Sequence, residues 1–234
     1  LLLGGAQDNG THRLSNNNWN QVRGGDGMDN AIDPDNNMIM YCSVYYGSFY
    51  KSTNGGQSFN SMNIPAAGSG NWVTPLLIDP TNSQIVYAGY DRLYRSTNKG
   101  ATWSATSGAI SGGSGNNNID AIAVAPSNNQ IIYVAINNDI YKSTNWGGSW
   151  SNVSGSLSGI NITSITVSHN NPNHVWVSRS GYAAGTKVFE SLNGGANWIN
   201  VSGSLPNLPV NVIVTEDNTP NGVYIGTDVG VYYR

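Results

Sequence analysis

Apolar residues fall in short runs of four to six positions, each closed by a cluster of Asn, Ser, Gly or Pro. One such stretch runs Ala121-Ile-Ala-Val124, then a Pro/Asn turn, then Ile131-Ile-Tyr-Val-Ala135, then Ile140-Tyr-Lys142, then a Trp at position 150. Runs of this length, rich in β-branched and aromatic residues, are strands. No segment keeps a 3.6-residue period, so essentially no helix is expected.

The pattern repeats. Four segments align without gaps: Ser52-Thr-Asn-Gly-Gly-Gln-Ser-Phe59, Ser96-Thr-Asn-Lys-Gly-Ala-Thr-Trp103, Ser143-Thr-Asn-Trp-Gly-Gly-Ser-Trp150 and Ser191-Leu-Asn-Gly-Gly-Ala-Asn-Trp198. They lie 44, 47 and 48 residues apart, the span of a four-stranded propeller blade. A strand–turn–strand element precedes each, at 32–41, 78–87, 124–133 and 167–176, with a fifth copy at 214–224. The expected fold is therefore all-β, a β-propeller with six recognisable blades, as a single domain over 1–234. Its units are 1–22 (partial), 23–62, 63–106, 107–153, 154–201 and 202–234 (partial). The first piece reads as strands two to four, with Trp19 as the motif aromatic, and the last as strands one to three. The expectation is a fragment of a six- or seven-bladed propeller, with strand one supplied before Leu1 and strand four after Arg234.

Within the motif, Ser and Asn side chains can bond nearby backbone amides, Gly tolerates positive φ, and the closing aromatic buries apolar area. A catalytic group is needed once, not in every blade. A structural role is thus assigned to Ser52, Asn54, Gly56 and Phe59, to Ser96, Asn98, Gly100 and Trp103, to Ser143, Asn145, Gly147 and Trp150, and to Ser191, Asn193, Gly195 and Trp198.

Composition narrows the chemistry. Charged residues make up only 10% and the net charge is −3; about 25% charged is usual. Amides and hydroxyls take their place. Without a basic stripe, nucleic acid is not an expected partner. No apolar run reaches the length of a membrane span, so membrane insertion is not expected. Cys42 is the single cysteine and sits in an apolar run, which suits a small buried hydrophobe. One Cys and three scattered His make no metal cluster, and no cofactor is expected.

Strand order sorts the loops. Turns between strands one and two, and three and four, share one end; Asp33, Asp35 and Asp79 serve turns there. The other end gathers the loops between strands two and three and the connections between blades. Asp8, Asp26, Asp29, Asp91, Arg92, Asp120, Asp139, Arg179, Tyr182 and Asp228 map to it. A ligand site is expected there, with Asp8, Asp26, Tyr46, Asp91, Arg92, Arg179, Tyr182 and Asp228 as binding candidates. Asp8 and Asp26 lie in Gly-flanked loops; the alternative is that both carboxylates simply accept backbone amides. Tyr45, Tyr46, Tyr90 and Tyr182 are candidates to stack on sugar rings.

The motif is similar to the Asp-box, or bacterial neuraminidase repeat, with Asn in all four copies where that family usually has Asp. Gly4-Gly-Ala-Gln-Asp-Asn-Gly-Thr11, Gly24-Gly-Asp-Gly-Met28 and Tyr224-Ile-Gly-Thr-Asp-Val-Gly-Val-Tyr-Tyr-Arg234 resemble the Asp-box propellers of large secreted Bacteroidota proteins. Many of those carry a type IX secretion sorting domain. The resemblance implies an extracellular or cell-surface setting beside other domains of a longer parent chain. It also implies a non-catalytic binding or adhesion role toward a glycan, a cell-surface polymer or a protein. A second reading is a glycoside hydrolase of the sialidase or xyloglucanase type, which needs two carboxyl groups about 5 to 9.5 Å apart; Asp8 and Asp26 are then the pair. The sialidase pattern of three arginines and Arg-Ile-Pro does not occur here, and xyloglucanases set their cleft between two propellers. A third reading is an assembly scaffold, since photosystem assembly factors and sortilin-type receptors share the repeat.

Overall fold

The computed structural model describes residues 1–65, 67–110, 117–217, 219 and 221–234. Asn218 and Pro220 of the fifth strand–turn–strand element lie outside the described residues. The chain forms two compact units, Leu1–Gly108 and Ala109–Arg234.

Unit 1 holds three antiparallel meanders. Sheet I is β1 (Leu2–Ala6), β2 (Gly10–Ser15) and β3 (Asn18–Arg23). Sheet II is β4 (Asn30–Ile32), β5 (Met40–Val44), β6 (Ser48–Ser52) and β7 (Asn60–Ser61). Sheet III is β8 (Leu76–Ile78), β9 (Val86–Gly89), β10 (Leu93–Ser96) and β11 (Ser104–Ala105).

Unit 2 repeats the plan. Sheet IV is β12 (Ile119–Val124), β13 (Ile132–Ile136), β14 (Asp139–Ser143) and β15 (Ser151–Asn152). Sheet V is β16 (Ile162–Val167), β17 (Val175–Arg179), β18 (Val188–Ser191) and β19 (Ile199–Asn200). Sheet VI is β20 (Val210–Thr215), β21 (Val223–Thr227) and β22 (Gly230–Tyr233). Helix among the described residues is confined to two three-residue 3₁₀ turns, Tyr45–Gly47 and Gly155–Leu157. The fold class is the expected one: all-β, with the blades of a β-propeller.

The second strand is buried along its whole length in sheets II, III and IV, and up to Ser178 in sheet V. It is covered on both faces, which is why Ile132-Tyr-Val-Ala-Ile136 reads as a continuous apolar run. In unit 2, Ala123, Tyr133, Ala135 and Ile140 of sheet IV pack against Ile165, Val167, Val175 and Val177 of sheet V. Burial of each aliphatic side chain is worth about 1.5–3 kcal/mol. The first strands of sheets IV, V and VI each break register at one residue, between Ile119 and Ala121, Ile162 and Ser164, and Val210 and Val212. Such bulges re-aim side chains where the inner strand begins.

The repeated hairpin is a closed set of hydrogen bonds. Ser52 Oγ accepts the Gly56 amide at 2.9 Å and donates to Asn54 Oδ1 at 2.8 Å; Asn54 Oδ1 also accepts the Ser58 amide at 3.0 Å. The same bonds recur at Ser96, Asn98 and Gly100, at Ser143, Asn145 and Gly147, and at Ser191, Asn193 and Gly195. The fourth position of each copy is left-handed: Gly55, Lys99, Trp146 and Gly194 have φ of 67°, 55°, 57° and 70°. Where it is not Gly, the side chain makes a compensating contact. Lys99 Nζ donates to Asp33 Oδ2 at 2.5 Å, and Trp146 Nε1 to Asn129 Oδ1 at 3.3 Å.

The closing aromatics differ in depth. Trp103 is buried against Ile64 and Leu76, whereas Phe59, Trp150 and Trp198 are half-buried. Trp19 is exposed. Cys42 is buried, and burial pushes its thiol pKa up to about 11.

Candidate functional site

At the turn end of unit 1, Asp33 and Asp79 each accept the amide two residues on, from Asp35 and Thr81, at 2.9 and 2.8 Å. Asp35 Oδ2 accepts the Ser83 hydroxyl at 2.7 Å, tying two turns together. Burial would raise the Asp33 pKa. The Lys99 ammonium, the Asp35 amide and Ser83 outweigh it and hold the carboxyl below its usual value.

The opposite end of unit 1 is formed by loops 7–9, 45–47 and 90–92, the connection 24–29 and the later part, 68–75, of the connection that leads to β8. Asp8 and Asp26 meet there, through the backbone: the Asp8 amide donates to Asp26 Oδ1 at 2.7 Å. Asp8 has φ of 64°. The neighbouring glycines serve contacts inside the chain. A Cβ on Gly27 would come 2.2 Å from the Gly10 carbonyl oxygen, and one on Gly10 2.1 Å from that of Arg23. Asp29 bridges two sheets, accepting the Asn30 amide at 2.9 Å and the Leu76 amide at 2.8 Å. Burial raises its pKa, against the pull of those two amides.

An aromatic cluster stands beside them. Tyr45 and Trp72 stack with ring centroids 5.4 Å apart and planes 12° from parallel. Tyr46 meets both edge-on, at 5.6 and 5.4 Å. All three are exposed, at 41%, 50% and 41% for Tyr45, Tyr46 and Trp72. The loop is held from below. Tyr90, expected as a stacking ring, is buried, and its hydroxyl donates to the Gly47 carbonyl at 2.6 Å. Tyr46 itself takes a left-handed φ of 59° and receives the Gly70 amide on its carbonyl at 3.2 Å. Asp91 and Arg92 follow Tyr90 and pair with each other at 2.6 Å; the carboxylate raises the Arg92 pKa. Trp72 is the member that sequence reasoning missed. It sits in a long connection without strand periodicity, and its only signal is a large aromatic directly after the polar stretch Gly68-Ser-Gly-Asn71.

In unit 2 the candidates are spread over three loops. Tyr182 is 68% exposed. Arg179 lies at the end of β17, with its Nη1 at 3.4 Å from Thr186 Oγ1. Asp228 accepts Asn211 Nδ2 at 2.7 Å, and Asp139 accepts the Ser158 hydroxyl at 2.8 Å. A residue not singled out beforehand is Lys187. Its side chain is fully buried, paired across the strands with Arg179, and its Nζ donates to the Gly181 carbonyl at 2.5 Å. Burial lowers its pKa and the Arg179 charge lowers it further. Among the described residues no group of three or more His, Cys, Asp or Glu could hold a metal ion. Nor, among the described residues, is any helix long and apolar enough to cross a membrane.

No family model matches the sequence, nor does any of the curated proteins compared with it. Solved structures do. The chain is similar to an ancestral GH74 enzyme, with a TM-score of 0.74 and 20% identity over 99% of this chain and 36% of that one. It is similar to the GH74 xyloglucanase from Xanthomonas campestris, at 0.68 and 16% over 99% and 43%. It is also similar to the extracellular domain of a candidate hybrid two-component system from B. thetaiotaomicron, at 0.71 and 12% over 97% and 30%. The chain spans less than half the length of each of these. Likeness at such identities establishes the fold and leaves activity to the residues.

Proposed function

We propose that the chain is a non-catalytic binding or adhesion propeller that works outside the cell or at its surface and recognises glycan through the loop end of unit 1. The observation that carries this is the exposed cluster of Tyr45, Tyr46 and Trp72. Sugar rings present apolar C–H faces that stack on aromatic planes, while their hydroxyls need neutral donors and acceptors. The amide- and hydroxyl-rich, charge-poor composition offers those. In this reading Asp91 and Arg92 take sugar hydroxyls next to the rings, and Asp8 and Asp26 border the same end. Arg179, Tyr182 and Asp228 are further binding candidates on separate loops of unit 2. The hairpins are read as Asp-box variants of the kind found in secreted Bacteroidota proteins, and residues 1–234 as one propeller domain of a longer parent chain. The self-contained Ser–Asn–Gly bonding supports the first of these.

A glycan array followed by titration with soluble polysaccharides tests the proposal. Stacking beyond area burial is worth about 0.5–1.5 kcal/mol, so Tyr46→Ala and Trp72→Ala should each weaken binding by about 2- to 12-fold. Absence of any glycan ligand, or unchanged affinity in both variants, overturns it. Release of reducing sugar by the unaltered chain, lost in Asp8→Asn and Asp26→Asn, would instead establish the hydrolase reading.

A further inference from the structure

Unit 1 carries a cleft at its hairpin end, away from the Tyr45 loop. Strand β6 leaves that loop at Ser48 and ends at Ser52, where the sheet II hairpin begins. Close to that end, a cavity of about 470 Å³ lies between Lys51 with the edge strand β7 and the sheet III hairpin residues Gly100 to Trp103. Its floor is tightly built. A Cβ on Gly100 would come 2.9 Å from Met62 Sδ, and the Trp103 indole N–H donates to the Gly100 carbonyl at 3.1 Å.

Among the described residues, Lys51 is the one charged group in the lining, and no carboxylate is part of it. Lys51 Nζ donates to the Lys99 carbonyl at 2.6 Å, an oxygen that also takes the Tyr41 hydroxyl at 3.1 Å. The carboxylate that acts on Lys51 is Asp33, and it is already committed. Its Oδ2 accepts Lys99 Nζ at 2.5 Å, and its Oδ1 accepts the Asp35 and Asn36 amides at 2.9 and 3.2 Å. Two ammonium groups thus share one acid, which leaves one positive charge over beside the cavity. Burial lowers the Lys51 pKa, and the Lys99 charge lowers it further. An anion in the cavity would favour the charged form of Lys51 and offset both effects.

The remaining polar lining is neutral. Among the described residues, the side chains of Thr53, Asn60 and Asn63 make no hydrogen bond within the chain. Their amides and hydroxyl are open to the hydroxyls of a ligand, above the apolar surface of Met62.

We propose that this cavity binds a small hydroxylated carboxylate with the chemistry of a uronate sugar. Its carboxylate meets the Lys51 ammonium, its hydroxyls bond to Thr53, Asn60 and Asn63, and its ring lies over Met62. The charge-assisted bond supplies most of the affinity, and the neutral groups select a hydroxylated anion over a bare one. The site is separate from the aromatic cluster and does not rest on it.

The test titrates galacturonate, galactose and acetate into the intact chain, followed by the NMR signals of the Lys51 and Asn63 side chains. Saturable binding of galacturonate is expected, with galactose and acetate about tenfold or more weaker. Lys51→Met should weaken galacturonate by about tenfold or more, and Asn63→Ala by about 2- to 12-fold; melting temperatures report that both are folded. Trp72→Ala should leave galacturonate binding unchanged, and Lys51→Met should leave polysaccharide binding at the aromatic cluster unchanged, so the two sites can fail separately. Lack of saturable binding overturns the proposal, as does galactose or acetate binding as well as galacturonate, or unchanged affinity in Lys51→Met. Tetragalacturonate binding more tightly than the monomer supports the proposal with a polymer as the source; equal affinity supports it with a free sugar acid.

Discussion

Removal of one hydroxyl at the repeated hairpin should cost far more than its size suggests. In Ser143→Ala, the buried Gly147 amide loses its acceptor at 2.9 Å, the Asn145 amide loses a longer one at 3.2 Å, and Asn145 Oδ1 loses a donor. Ser143 is 1% exposed, so water does not replace these bonds. An unsatisfied buried donor costs about 1–3 kcal/mol and each ordinary bond about 0.5–1.5. The side chain loses a single oxygen and creates almost no cavity, so the expected total is about 2–3 kcal/mol. At about 2–4 °C per kcal/mol for a chain of this size, the melting temperature should fall by about 4–12 °C. Asn145→Asp is the control. It keeps both acceptor bonds, and the Ser149 hydroxyl can turn to donate instead of accept, so a change within about 0.5 kcal/mol is expected. Thermal melts by circular dichroism and urea titrations read both. A loss below 1 °C in Ser143→Ala, or equal losses in the two variants, would refute the reasoning.

Three further outcomes follow from the geometry. The folded Asp33 pKa is depressed, so its pairing with Lys99 stabilises above the unfolded carboxylate value near 3.9 and is lost as pH falls through the folded value; Asp33→Asn should flatten the acid limb of a stability–pH curve. The folded Lys187 pKa is depressed instead, so the unfolded chain binds more protons and stability rises with pH up to about 10.4. Lys187→Met should lose that alkaline gain, measured as the melting-temperature difference between pH 7 and pH 10. Gly47→Ala places a Cβ 2.6 Å from the Tyr90 ring at a φ of 80°; it should displace Tyr45 and Tyr46 and weaken glycan binding, read by the same polysaccharide titration.

Strand content and the blade pattern were legible because each blade restates them. Ile131–Ala135 and Ile140–Lys142 could be read as strands from their own composition and again from their counterparts. The pairing partners of singular residues were not legible. Nothing in the sequence puts Trp72 against Tyr45, because the connection from β7 to β8 has no counterpart of equal length. Tyr90 looked like a rim aromatic, since a Tyr before Asp-Arg reads as loop, yet it is a buried prop beneath the Tyr46 loop. Asp8 and Asp26 do meet, and the meeting is an amide on a carboxylate, a distinction that residue identity does not carry. Lys187 gave no signal either; its burial follows from the Ser180–Thr186 loop folding back so that Gly181 reaches its ammonium.

The hairpin bonds begin and end within a span of eight residues. What such a segment asks of its surroundings is apolar cover for one ring: Trp198 lies against the preceding Val153 and Leu157, whereas Trp103 packs on Ile64 and turns its indole N–H back to Gly100 of its own hairpin. A gene segment encoding one repeat could therefore be duplicated or lost while the remaining hairpins keep their internal order. The far loops, exempt from that bonding, are free to diversify copy by copy.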